Sequence, residues 1–115
     1  MSFDLAFWFQ WPAPTVEEAA EIYEQLADEI QGVVEEGPSI RGFYHEVTSI
    51  YPDINEDNME ESVWSSALYV TDECLIAAIA WSRSEEVSSV LIDLAVKHRL
   101  VAYDPQKQIV HAMAD

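Results

Sequence analysis

An apolar stretch rich in aromatic side chains, Phe3 to Phe9, runs directly into Trp11-Pro12-Ala13-Pro14. Seven residues of that composition favour an extended chain, and the prolines stop it. The stretch therefore reads as a strand, buried on both faces for part of its length. That commits the chain to a sheet, and the remaining segments are read as what surrounds it.

Thr15 opens a helix with a capping-box pattern, since Thr15 and Glu18 can each bond the other's backbone. Val16, Ala19, Ala20, Tyr23, Leu26, Ala27 and Ile30 recur at three- and four-residue steps as its apolar face. Glu17, Glu21, Glu24 and Asp28 fall opposite, and Gly32 or Gly37 permits the break. A second helix is predicted from Pro38 to Ile50, with Ile40, Phe43, Tyr44, Val47 and Ile50 inward. Gly42 weakens it by about 1 kcal/mol relative to alanine, so packing must hold it. "WSSALYVT" and "CLIAAIAW" read as two strands of a hairpin joined through Thr71, Asp72 and Glu73. Ser84 is the expected N-cap of a third helix, with Glu85 and Glu86 in its first turn. Val87, Val90, Leu91, Leu94, Ala95 and His98 form its buried face, and Arg99 stands where a terminating glycine is expected. "LVAY" is a short strand, "DPQKQ" a turn, and "IVHAMA" a last strand at an edge.

The order β-α-α-β-β-α-β-β predicts an α+β fold: a mostly antiparallel sheet with helices on one face. A split βαβ connection at each end makes it a ferredoxin-like variant with additions. At 115 residues the whole chain, 1–115, is expected to be one domain.

Charge narrows the function. Twenty-two acids against five bases give a net charge of −17, a field that repels nucleic acid, anionic lipid and phosphate-rich substrates. The same field attracts basic partners. Cys74 is the only cysteine, so no internal disulfide can form. The apolar N-terminus lacks a basic region and carries Asp4 early, unlike a signal peptide. No apolar run approaches the roughly 20 residues of a spanning helix. The expectation is a cytoplasmic protein with no membrane association.

Tyr51 to Trp64, "YPDINEDNMEESVW", nearly fits a calcium loop, with Asp53, Asn55 and Asp57 at the first, third and fifth positions. The twelfth position, which needs a bidentate glutamate, is Trp64. No metal site is expected there. His45, His98 and His111 show no ligand spacing, and Cys74 has no sulfur partner. His45 and His98 fall at or near buried helix stripes, where a core or boundary histidine is the simpler account. Nucleophile elbows and phosphate-cradling glycine loops are absent, so neither catalytic residues nor a cofactor are expected. A Cys74–histidine pair stays open, against the usual behaviour of a buried cysteine as a small hydrophobe.

The acids themselves are unevenly placed. Eight lie between Glu17 and Glu36 and five between Tyr51 and Trp64, 13 of the 22 in all. Plain solvation accounts for the helix as well as function does. The loop mixes acids with Ile54, Met59 and flanking aromatics, a composition suited to docking. It would equally be an ordinary loop if Tyr51 and Trp64 packed inward.

"YPDINEDNMEESVW", "WSRSEEV" and "AVKHRLVAYDPQ" together resemble a group of small acidic bacterial proteins, some of them immunity proteins that neutralise a toxin passed between neighbouring cells. The resemblance spans most of the chain, and its motifs mark helix ends and turns. It implies a binding role without naming the toxin.

Taken together, these features lead to the expectation of a non-catalytic inhibitor that covers a basic toxin domain, a nuclease by preference, because nucleases hold phosphates on positive surfaces. Asp53, Glu56, Asp57, Glu60 and Glu61 would steer, Trp64 would anchor, and Glu35 and Glu36 would stand nearby as outer charges. Negative potential would gather on one side of a solid body. The alternatives are an enzyme or ligand-binding protein with a pocket lined by Trp8, Trp11, Trp81 and Tyr103, a nucleic-acid mimic blocking a basic cellular protein, or a salt-adapted domain with evenly spread acids. Oligomeric state is left open.

Overall fold

The structure, a computed structural model, describes residues 2–112. Within them lie β1 (Ser2–Trp8), α1 (Val16–Ala27), α2 (Ser39–Ile50), β2 (Tyr69–Val70), β3 (Cys74–Ala80), α3 (Ser84–Lys97), β4 (Val101–Asp104) and β5 (Ile109–His111). Met113 and Ala114, the end of the expected last strand, lie outside the described residues.

The sheet runs β2-β3-β1-β4-β5, and every neighbouring pair is antiparallel. β1 lies at its centre, with Phe3 opposite Ile79 and Trp8 opposite Cys74 on one side, and Ala6 opposite Tyr103 on the other. The path from β1 through α1 and α2 to β2 skips over β3. The path from β3 through α3 to β4 skips over β1. Both are split βαβ connections, as the element order implies, and β5 extends the far edge.

Alternation along β1 divides the core in two. Phe3, Leu5 and Phe7 join Leu75, Ala77 and Ile79 beneath Ile40, Phe43 and Val47 of α2 and Val87, Leu91 and Ala95 of α3. Ala6 and Trp8 join Cys74, Val101 and Tyr103 beneath Ala19 and Leu26 of α1. The helices therefore cover both faces, not one. The reason is the sequence's own: Trp8, Val101 and Tyr103 give the second face too much apolar surface to leave wet.

Other differences have local causes. α1 ends at Ala27, and Glu29 takes a left-handed φ of 62°, so Val16, Ala27 and Ile30 are exposed while Ile22 turns inward. Ile50 is likewise exposed at the end of α2, as is His45 on its outer side. Of "WSSALYVT" only Tyr69–Val70 is strand, with Trp64 adding an isolated bridge to Ile79. There the Leu68 N–H is taken by the Asp53 carboxylate instead of a ladder. A 3₁₀ turn at Trp81–Arg83 precedes α3, and the Ser84 hydroxyl donates back to the Trp81 carbonyl, so it does not cap the helix. Arg99 adopts φ 60° and ends α3 left-handed without a glycine.

Candidate docking surface

α2 delivers the chain into the segment between Tyr51 and Trp64, and side chains within that segment fix its shape. Asp53 is fully engaged: one carboxylate oxygen accepts from the Ile54 and Leu68 N–H groups, the other from the Tyr44 hydroxyl at 3.1 Å. Asn55 Oδ1 accepts from the N–H groups of Asp57 and Asn58, while Asn58 Oδ1 accepts from the Asn55 N–H. Asn58 Nδ2 closes the ring of bonds by donating to the Asp53 carbonyl. These residues hold the loop; their side-chain oxygens accept from backbone amides and the Tyr44 hydroxyl.

Trp64 is a core residue. Only 2% of it is exposed, its ring meets Tyr51 edge-on, and its indole N–H donates to the Tyr51 and Pro52 carbonyls. It anchors the loop to the protein and offers no face to a partner. Asp53 is likewise a positioning residue, not a steering charge, because its bonds point inward.

What the loop presents is Glu56, Asp57, Glu60 and Glu61, all exposed and without a side-chain partner among the described residues. Met59 stands among them, 57% exposed. Next to the loop a shallow cavity of about 380 Å³ is lined by Ile50, Tyr51, Glu61, Val63 and Arg83, and Trp81 adjoins it beside Arg83. Ile50, Met59 and Trp81 are thus large apolar side chains held at the surface, Ile50 sharing that cavity with Glu61 and Met59 lying within the acidic run. Arg83 pairs with Glu86, which holds that carboxyl below its ordinary value and raises the guanidinium.

Glu35 and Glu36 lie elsewhere. They precede the start of α2, whereas the loop follows its end, about 18 Å along the helix axis. α1 and its outer acids sit over the opposite sheet face. Acids clustered in sequence are therefore divided over separate surfaces, not gathered on one side. The helix between them and the sheet beneath them set that separation.

The aromatic pocket of the alternative reading does not form. Trp8 and Tyr103 are buried in one core layer, and Trp81 lies past the other end of β1, about 20 Å from Trp8 at strand spacing. Cys74 is buried, burial pushes its thiol above the ordinary value, and its hydrogen-bonding neighbour is the Thr71 hydroxyl. A protonated, enclosed thiol is a poor nucleophile. His98 is occupied structurally: its Nε2 lies 2.7 Å from Glu46, which also accepts from Lys97 at 2.8 Å. Those contacts join α2 to α3 and, with Lys97 the larger influence, lower the Glu46 carboxyl.

Met59 is legible from the sequence, whereas the exposure of Ile50 and Trp81 is not, because helical spacing assigns Ile50 inward and strand composition absorbs Trp81. The Asn55–Asn58 pairing carried a usable signal, since asparagines three apart favour turns bonded by their own side chains.

Among known protein families, curated proteins and solved structures, none matches the chain.

Proposed function

We propose that the chain is a non-catalytic acidic binding protein, an immunity protein that neutralises a basic toxin domain, preferably a nuclease, by covering its substrate-binding surface. The observation that carries this reading is the loop after α2, where exposed Glu56, Asp57, Glu60 and Glu61 flank exposed Met59 and the backbone is held by the loop's own side chains. Exposed carboxylates steer a positive surface into contact, and Met59 among them with Ile50 at the adjoining cavity supplies apolar contact once water leaves. A loop already ordered loses little conformational entropy on binding. The large negative charge makes nucleic acid a disfavoured partner and a phosphate-binding protein a favoured one. Trp64 keeps a role in this reading only by holding the loop in place.

The test first asks whether a neighbouring gene encodes a basic toxin domain, which then serves as the binding partner. Association is followed by stopped flow at low and high salt, for the native protein and for the variant with Glu56, Glu60 and Glu61 changed to Gln and Asp57 to Asn. The native rate should fall steeply with salt, and neutralisation should slow low-salt association by about tenfold. Equal rates for the two proteins at low salt would refute the reading.

A further inference from the structure

We infer that the surface around Trp11 is a second docking site, which takes a lysine or arginine side chain from a basic protein. The inference builds on the proposed function in taking the partner to be basic, and it adds a contact at the opposite end of α2. Trp11 is 59% exposed, whereas Trp8, three residues earlier in the same apolar stretch, is fully buried. Beyond the end of β1 the indole stands between two grooves. One, of about 490 Å³, is lined by Trp11, Ile22, Val33, Val34 and Glu35. The other, of about 340 Å³, is bounded by Phe9, Leu100 and Arg99.

The wall of the larger groove is fixed in advance. The N–H groups of Gly32, Val33 and Val34 all donate to the Glu73 carboxylate, at 2.9 to 3.3 Å. The Gly37 N–H donates to the Asp72 carbonyl, so the whole α1–α2 connection is tied to the turn between β2 and β3. Glu73 is spent on those amides. Glu35 is the one charged residue lining the groove and has no ion-pair partner among the described residues.

A tryptophan face attracts a cation through its quadrupole, and Glu35 at the same lip adds opposite charge. Arg99 on the far side of Trp11 repels a cation from the smaller groove, which sets the direction of entry. The larger groove is open to solvent, so a free cation would remain hydrated there. A side chain delivered by a polypeptide brings further surface to cover the indole, and that selects a protein as the occupant.

Nuclear magnetic resonance on the full chain tests this with a capped tetra-arginine peptide as probe and capped tetra-glutamate as control. The Trp11 indole N–H should shift saturably with tetra-arginine and stay still with tetra-glutamate, moving further than the Trp81 indole. In Glu35→Gln, whose exposed side chain leaves the fold intact, the dissociation constant read at Trp11 should rise about threefold. An unmoved Trp11 signal overturns the inference, and so does an unchanged constant in Glu35→Gln. Shifts confined to the amides of Glu56 to Glu61 overturn it while leaving the proposed function standing; shifts at Trp11 without the loop do the reverse.

Discussion

The outer face of α1 and the loop after α2 carry similar acidic charge, yet they hold it differently. On α1, Glu17, Glu21 and Glu24 project from successive turns, and Asp28 caps the C-terminal end, where the helix dipole disfavours a negative charge. Among the described residues none of these four side chains has an ion-pair partner, and the same is true of the four exposed loop acids. In the loop, Asp53, Asn55 and Asn58 consume the local backbone donors and thereby fix where Glu56, Asp57, Glu60 and Glu61 stand. Both backbones are hydrogen-bonded, so the difference lies in spacing: α1 sets its acids about a turn apart along one face, whereas the loop crowds four carboxylates into residues 56–61 around Met59. The number of acids in a segment does not distinguish them.

The comparison can be broken by removing what fixes the loop. Trp64→Ala takes the largest side chain beneath it out of the core, and thermal or denaturant unfolding should show a loss of about 3–5 kcal/mol. The same change at exposed Trp11 should stay within about 0.5 kcal/mol. Comparable losses at the two positions would mean that the buried and exposed assignments are wrong. Asp53→Ala comes next, at about 1–3 kcal/mol, because the Leu68 and Ile54 N–H groups and the Tyr44 hydroxyl lose their acceptor. Burial first, then the bond to Asp53, pushes the Tyr44 hydroxyl above its ordinary value of 10.0. Its ionisation, followed by ultraviolet or magnetic resonance titration, should move to lower pH in Asp53→Ala yet remain above 10.0. An unshifted titration would show that the bond contributes nothing.

Smaller effects sharpen the contrast. Neutralising Glu21 and Glu24 together should change stability by no more than about 0.5 kcal/mol, in the stabilising direction, since self-repulsion falls and no bond is lost, whereas Glu17 in the first turn is favoured by the helix dipole. The double change should also slow association with a basic partner less than neutralising the four loop acids does. If the helix variant proved the slower, the fixed loop would not be the steering element.

A separate pH effect belongs to Glu46. Its carboxyl is lowered in the folded state by Lys97 and His98, so its contribution is present above the ordinary value of 4.5 and is lost as pH falls through the folded value. The stability gap between the native protein and Glu46→Gln should therefore close in acid. A gap constant with pH would remove the ion pairs from the account.

Much of the fold could be read directly because local pattern and tertiary outcome agree. The capping box of Thr15 and Glu18 forms, the apolar spacing of α2 and α3 buries Phe43, Val47, Val87 and Leu91, and β1 lies at the sheet's centre. Two prolines and an alternation of large side chains suffice for such assignments. The site was less legible. Trp64 and Trp81 look alike as aromatic residues beside polar segments, and their burial differs because one is bridged to Ile79 and turns into the core while the other lies past the strand's end.

By itself the sequence determined the element types, their order, the net charge and the split connections, because these follow from periodicity, capping and composition along a local stretch. Tertiary structure alone decided that α1 crosses to the second sheet face and that Glu35 and Glu36 part company with the loop. It also decided that Trp11 stays outside while Trp64 goes in. Such outcomes depend on which surfaces meet across the sheet, and that is settled by where distant apolar groups can all be buried at once.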